Sequence, residues 1–466
     1  MSVQPASLSP SAIALNRFGL GARPDDVASG DPRRQLVDQF SRFDVRPAGF
    51  AALDDAGTVV QHYRTAQQAD RRTARQDGAT DAKADRTAGR QDFRQDVHAL
   101  YRAAVQARAD SALATQAPFV ERMVHFWSNH FCVSVDNAQV TAFAGAFERD
   151  AIRPYVLGSF SDMALAAERH PAMLIYLNQV QSIGPDSPAA ARNPDRKRGL
   201  NENLAREIME LHTLGVGGGY SQDDVTSLAR IITGWTFAGR QGKLGAPGVF
   251  VFNANAHEPG PQRLLGQLYE DNGVAQGEAA LGFIARHPST AKFIATKLAR
   301  HFVSDDPPPA LVARLRDVFS KTDGDLKALS IALLDSDEAW QAPPTKLRSP
   351  YEFVVATGRL LSQMPQDPSR YLGGLNLLGQ PLWSPAGPNG FADTNAAWAA
   401  PEGMKLRLDI SAQVASKLAD NVDPRDLLEL AVADAASPET RRTIERAESR
   451  QQALALLLMS PEFQRR

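Results

Sequence analysis

Apolar side chains recur at helical spacing along most of this chain, and that period confines it to an architecture of packed helices. The first two helices are announced by their starts. Ser9-Pro10 and Asp31-Pro32 each set a capping side chain before a proline at the first helical position, where the missing N–H costs nothing. Ile13, Leu15 and Phe18 follow, then Leu36, Val37 and Phe40, and Gly19 and Gly21 mark the end of the first helix. From residue 93 the pattern is dense. Ser221 opens a helix with Asp224 three residues on, a capping-box pairing. Val225, Leu228, Ala229, Ile232 and Trp235 supply its apolar stripe. Further stripes fall in 289–303, 308–320, 324–335, 348–363, 424–433 and 449–459.

Three segments break the period. GVFVFNANAH at 248–257 alternates and is rich in Val and Phe, which predicts a strand, with LLGQLY at 264–269 as its hairpin partner. Residues 365–405 are rich in Gly, Pro, Asn and Trp and read as a long ordered loop. Between Tyr63 and Phe93 the only apolar side chains are alanines, too little surface to anchor a segment, so 64–92 reads as a polar exposed arm or a disordered insert. A chain of 466 residues suggests about three domains by length, but the pattern outweighs that prior. The expectation is a mainly α fold. It has N-terminal helices over 1–63 packed on the core and one large multi-helix, single-core domain over 93–466, with a small β-hairpin near 248–269 and the loop near 365–405.

Composition removes several function classes. The formal net charge is -2, so no excess of basic residues is available for a polyphosphate backbone, and no nucleic-acid partner is expected. Cys132 is the single cysteine, which excludes an intrachain disulfide and a cysteine-built zinc cluster. No run approaches about 18 apolar residues, so no membrane span is expected. The start has neither a basic n-region nor an apolar h-region. The chain as given therefore reads as cytoplasmic, with export open if the start lies upstream.

Three segments carry candidate chemistry. In RMVHFWSNHFCVS at 122–134, a helical advance puts Glu121, His125, Asn129 and Cys132 on one face and turns His130 away. Neutral imidazole is a common metal ligand, which makes His125 a candidate and Asn129 a weaker one. The plainer alternative is that His125 cross-links helices through a hydrogen bond. In LNENLAREIMELHTLG at 200–215, Asn203, Glu207 and Glu210 form a polar stripe beside Arg206, with His212 near the apolar side. Close carboxylates on one face repel unless a cation or a shared proton compensates. Buried, Glu207 and Glu210 are candidate metal ligands or an acid/base pair, with Asn203 beside them; exposed, they are surface ion pairing. In FNANAHEPG, His257 and Glu258 follow the predicted strand, where loops present ligands; a surface turn histidine is the alternative. Other signals are structural: His170-Pro171 and His287-Pro288 read as helix starts, VGGGYS at 216–221 as a connection, and Arg348 with Glu352 as an i,i+4 ion pair. Neither a Gly-x-Ser-x-Gly elbow nor a base partner for Cys132 marks nucleophilic hydrolysis.

Several blocks together carry a resemblance. LNRFGLG at 15–21, RMVHFWSNHF at 122–131, NENLAREIMELHTLG at 201–215 and HEPGPQRLLG at 257–266 resemble the signature blocks of domain-of-unknown-function family 1800. So do HPSTAKFIATKLARHFV at 287–303, KLRSPYEFVV at 346–355, LGQPLW at 378–383 and SPEFQ at 460–464. They run in order across nearly the whole chain. The resemblance implies a bacterial, mainly helical protein, often encoded beside a second protein that looks like a sulfatase. Many family members carry export signals. Where the family pattern has His-Asp, this chain has His257-Glu258, one methylene longer.

Two function classes follow. The first is a metal-dependent enzyme, hydrolytic or oxidative, whose His125, Glu207 and His257 hold a divalent transition metal such as zinc, iron or manganese, with Glu210 or Glu258 assisting. The second is a non-catalytic partner or scaffold, envelope-associated and acting with the sulfatase-like neighbour. There the polar stripes are buried networks, and Trp383, Phe391 and Trp398 of the 365–405 loop either form a binding surface or pin that loop to the body.

Overall fold

A computed structural model of the chain describes residues 9–26, 30–60, 82–192, 199–239 and 244–466. Helix accounts for 62% of it and strand for 4%, so the fold is mainly α, as the helical period requires. The capping signals work as their chemistry dictates. Ser9 accepts from the Ala12 N–H and Asp31 from the Arg33 N–H, each with proline at the start of the helix. Ser221 and Asp224 close a full capping box. The imidazoles of His170 and His287 cap in the same way, accepting from the N–H groups of Ala172 and Ser289.

The β structure differs from the expectation. Phe250–Phe252 is a strand, but its antiparallel partner is Trp235–Phe237, in the register Trp235↔Phe252. Trp235 therefore does not complete the stripe of the helix Gln222–Ile231; Gly234, at φ +82°, turns the chain out of the helix just before it. Residues 262–269 instead fold on themselves, Gln262–Leu264 pairing with Gln267–Tyr269. Leu265 and Gly266 between them both have positive φ, the two-residue turn that matches strand twist.

The long loop is shorter than expected. Asp367-Pro368 caps a helix over Pro368–Leu377, and helices Asn395–Trp398 and Pro401–Leu418 follow. The irregular part is 378–394. Of the polar arm, 64–81 lies outside the described residues, and 82–92 is the start of a 33-residue helix, Ala82–Ala114, which crosses the expected boundary at residue 93. That helix packs on Ala138–Phe147 at a small-residue contact, where a Cβ on Gly145 would come 2.4 Å from the Cβ of Ala104.

Buried apolar side chains form one large cluster over residues 13–340, a second among the C-terminal helices, and a third wedged between them. The helix Pro350–Leu360 belongs to both of the latter, through Phe353, Ala356 and Leu360 on one side and Tyr351 and Val355 on the other. Three π-helical turns interrupt the bundle, Ala14–Phe18, Glu148–Ile152 and Ile208–His212. Each carries fully buried ionisable side chains: Arg17, then Glu148 and Arg149, then His212. Wide turns of this kind re-aim side chains out of the regular i,i+4 rows. Among the described residues no helix is long and apolar enough to cross a membrane.

Candidate functional site

The helix Pro118–His130 is the floor of a cleft with a cavity of about 100 Å³. Its other walls are the start of the helix Pro350–Leu360, His301 near the end of Pro288–Phe302, and the 380–393 segment. His125 and Asn129 line it from one face of the helix and Cys132 from just past the helix end, while Glu121 of the same predicted face does not.

His125 sits edge-on to Tyr351, with ring centres 5.0 Å apart and Nε2 3.3 Å from the tyrosine oxygen. The same hydroxyl accepts from Arg108 Nε at 3.0 Å, and Arg108 pairs with the buried Glu148 at 2.7 Å. Glu121 lies 3.8 Å from Nε2, but its oxygens are taken by Arg153 at 2.7 and 2.9 Å and by Ser111 at 3.0 Å. Burial drives the His125 pKa well below 6.5, and the guanidiniums of Arg108, Arg153 and Arg122 push the same way, so the ring is neutral at neutral pH.

The opposite wall holds a second imidazole. His301 Nδ1 lies 2.6 Å from Asp393 Oδ2, and its Nε2 accepts from Arg122 Nε at 3.2 Å. Burial lowers the His301 pKa to about 4 despite the carboxylate. For Asp393, burial acts upward but is outweighed by His301, Lys346 and Arg466, which hold the carboxyl well below the usual range. Glu352 behaves alike: burial opposes ionisation, yet Arg466 and Arg122 bring it to about 2. It binds Arg122 at 2.7 Å and Arg466 at 3.0 Å. The expected i,i+4 pair with Arg348 does not form, because Glu352 faces these two arginines while Arg348 donates to the Phe463 carbonyl and to Asn16.

The loop wall is clamped. Asn129 donates to the Phe391 carbonyl at 2.9 Å and accepts from its N–H at 2.8 Å, and the Cys132 thiol donates to the Pro388 carbonyl at 3.2 Å. Burial pushes the Cys132 thiol up to about 12, so it is a hydrogen-bond donor and not a ready thiolate. Trp383 is buried at φ +52° and accepts from the Val135 N–H, while Trp398 donates to the Ala392 carbonyl. The main-chain bond of Trp383 ties the loop to the body, and the Trp398 bond is internal to the segment.

The other sequence candidates lie elsewhere. Asn203 is exposed at a helix start. Arg206 bridges Glu202 at 3.3 Å and Glu210 at 3.4 Å, a partly exposed ion-pair set. Glu207 is half-buried, and burial, with the Glu210 carboxylate nearby, raises its pKa. His257 is buried, its Nδ1 3.0 Å from the Thr233 carbonyl oxygen and its Nε2 3.5 Å from Asp271. Glu258 accepts from the Asp186 N–H. His125, Glu207 and His257 thus face different partners, and among the described residues no group of three or more His, Cys, Asp or Glu side chains is placed to hold a metal ion.

Sequence reasoning missed His301, Asp393, Tyr351 and the cationic pair Arg122 and Arg466. Tyr351 and His301 lie within KLRSPYEFVV and HPSTAKFIATKLARHFV, but their role depends on helices that meet only in the fold. It missed as well that His212 Nδ1 lies 2.7 Å from Glu168, both side chains fully enclosed, because the π-helical turn carries His212 off the regular helical row.

No curated protein and no solved structure matches the chain. A family model described as protein of unknown function (DUF1800) matches residues 13–465, nearly the whole length and every block that carried the resemblance. The chain belongs to the DUF1800 family.

Proposed function

We propose that the protein is an enzyme that moves protons on a small polar molecule held in the cleft between His125 and His301. The observation that carries this reading is that one cavity is lined by two imidazoles kept neutral by burial, one of them oriented by a carboxylate at 2.6 Å. A neutral imidazole with Nδ1–H on a carboxylate presents Nε2 as its basic atom. In this reading Asp393 fixes the tautomer of His301, and His301 becomes the proton acceptor when a group bound in the cleft draws the Arg122 N–H, 3.2 Å away, off its Nε2 lone pair; the same guanidinium then stabilises negative charge on the group that His301 deprotonates. Cys132 and Asn129 hold the loop wall.

The test is turnover of a defined panel of small carboxylic acids, esters, amides and sugars, followed by mass spectrometry. Wild type is run beside His125→Gln, His301→Gln and the surface control Arg316→Ala. A compound consumed by wild type and the control, and at least about 100-fold more slowly by both histidine variants, is the expected result. Equal consumption by all four proteins sinks the reading.

A second reading, the non-catalytic scaffold, is favoured by a different observation. Arg17 and Arg359 are buried guanidiniums that each donate to three backbone carbonyls, a use of charge that builds a rigid body rather than a site. Co-purification with the sulfatase-like protein suggested by the family resemblance is its test, and a tagged preparation free of that protein counts against it.

A further inference from the structure

The hydrogen bonds around His125 select one of its two neutral forms. Nε2 has two neighbours, the Tyr351 hydroxyl at 3.3 Å and Glu121 Oε1 at 3.8 Å. The second distance is beyond hydrogen-bond length, and both oxygens of Glu121 are already occupied by Arg153, with Ser111 on one of them. The Tyr351 oxygen receives the Arg108 Nε–H at 3.0 Å. Arg108 has no lone pair with which to accept a hydrogen bond and is locked by Glu148 at 2.7 Å and by stacking on the rings of Tyr351 and Trp383 at 4.8 and 5.3 Å. The Tyr371 hydroxyl also interacts with that of Tyr351, in the sense that favours a protonated Tyr371 donating to it; a hydroxyl so fed has its own proton free to donate, and the nitrogen facing it is Nε2. That leaves the ring's only proton on Nδ1, which is bonded to nothing among the described residues, on a side chain that lines the cavity.

We propose that Arg108 and Tyr351 are positioning residues that hold His125 as the Nδ1–H tautomer, so that it offers a hydrogen bond into the cleft to an acceptor oxygen, that of a carboxylate or carbonyl. The tautomer stands on the hydrogen-bond geometry of a neutral ring; the ligand class rests on the proposed function. It gives the two imidazoles different jobs. His301, oriented by Asp393, carries its lone pair on Nε2, where it accepts from Arg122, while His125, oriented by Tyr351, presents a proton without carrying a charge. A neutral donor beside Arg122 and Arg108 suits an oxygen on which negative charge develops. It also means that Nδ1 of His125 is not available as a metal-ligating lone pair.

The experiment is nitrogen-15 NMR of histidine-labelled full-length protein. The His125 signals are assigned by their loss in His125→Gln. Wild type is expected to show a protonated Nδ1 and an unprotonated Nε2 that persist between about pH 5 and pH 8. Tyr351→Phe is expected to populate both tautomers, and acetate is expected to move the Nδ1–H resonance in wild type and to a smaller extent in Tyr351→Phe. An Nε2–H ring in wild type overturns the proposal by itself, so it stays testable if Tyr351→Phe does not fold. A folded Tyr351→Phe protein with an unchanged ring overturns the positioning role, and acetate without effect on the wild-type resonance overturns the ligand class. If turnover fails across the panel while the tautomer and the acetate response hold, the enzyme reading falls and the donor site stands.

Discussion

At the scale of single residues, burial decides which polar side chains matter. His212 and Glu168 are fully enclosed and 2.7 Å apart, so removing one partner leaves the other unpaired in a low-dielectric interior. Glu168→Ala is expected to cost about 3–5 kcal/mol in urea unfolding, and Asn203→Ala, at an exposed position, less than about 0.5 kcal/mol. Comparable losses in the two variants would contradict the burial argument. The helical period already set His212 near the apolar side; the π-helical turn at Ile208–His212, which the sequence does not announce, is where it becomes fully enclosed against Glu168. His125 was legible as a face of a helix, because the i,i+4 and i,i+7 rows hold wherever a helix is regular.

At the scale of elements, the informative piece is the 378–394 segment. Gly390 sits at φ +73°, and a Cβ there would lie 2.4 Å from the Asn129 carbonyl oxygen. Gly390→Ala is therefore expected to lose about 1–3 kcal/mol to backbone strain and to loosen the Asn129 clamp on Phe391. Limited proteolysis reads this out: a new cut within 378–394, absent in wild type, is expected, and an unchanged digestion pattern would show that the clamp does not depend on this approach. The same element shows how far punctuation carries. Asp367-Pro368 is a helix start of the same kind as Asp31-Pro32, yet surrounding glycines and asparagines hide it. The β-hairpins fail for a related reason. Alternation at 250–252 reports a strand but not its partner, and three-residue strands gain their stability from the helices beneath them.

At the scale of the whole molecule, buried neutral histidines shape the response to acid. His301 and His170 are each depressed from 6.5 to about 4, and His125 and His130 are depressed as well, burial being the leading cause in all four. A folded-state pKa below the unfolded one means that the unfolded chain binds the proton first. Stability is then intact above about pH 6.5 and is lost as pH falls from there towards about 4, by up to about 1.4 kcal/mol per pH unit for each imidazole. Denaturant midpoints followed from neutral pH down to about pH 4.5 are expected to fall steeply, and less so in His301→Gln. Parallel slopes in the two proteins would mean that His301 is not held neutral by the fold. Asp393 works in the same sense at lower pH, since its carboxylate is stabilised by His301, Lys346 and Arg466 and loses that contribution only on protonation.

The sequence by itself determined the helical class, where several helices begin, the single-cysteine chemistry and the family, because these depend on local spacing, local capping and composition. It determined that His125 and Asn129 share a helical face, with Cys132 just past the helix end lining the same cavity. Tertiary structure decided what that face meets. Tyr351, His301 and Asp393 come from elements roughly 170 to 270 residues away in the chain, and the charges on Arg122, Arg466 and Glu352 find one another only once three apolar clusters have packed. Coulomb interactions and desolvation act through space and not along the chain. For that reason the pairing of His125 with Glu207 and His257, natural in a linear reading, gave way to a cleft built around two separately oriented imidazoles.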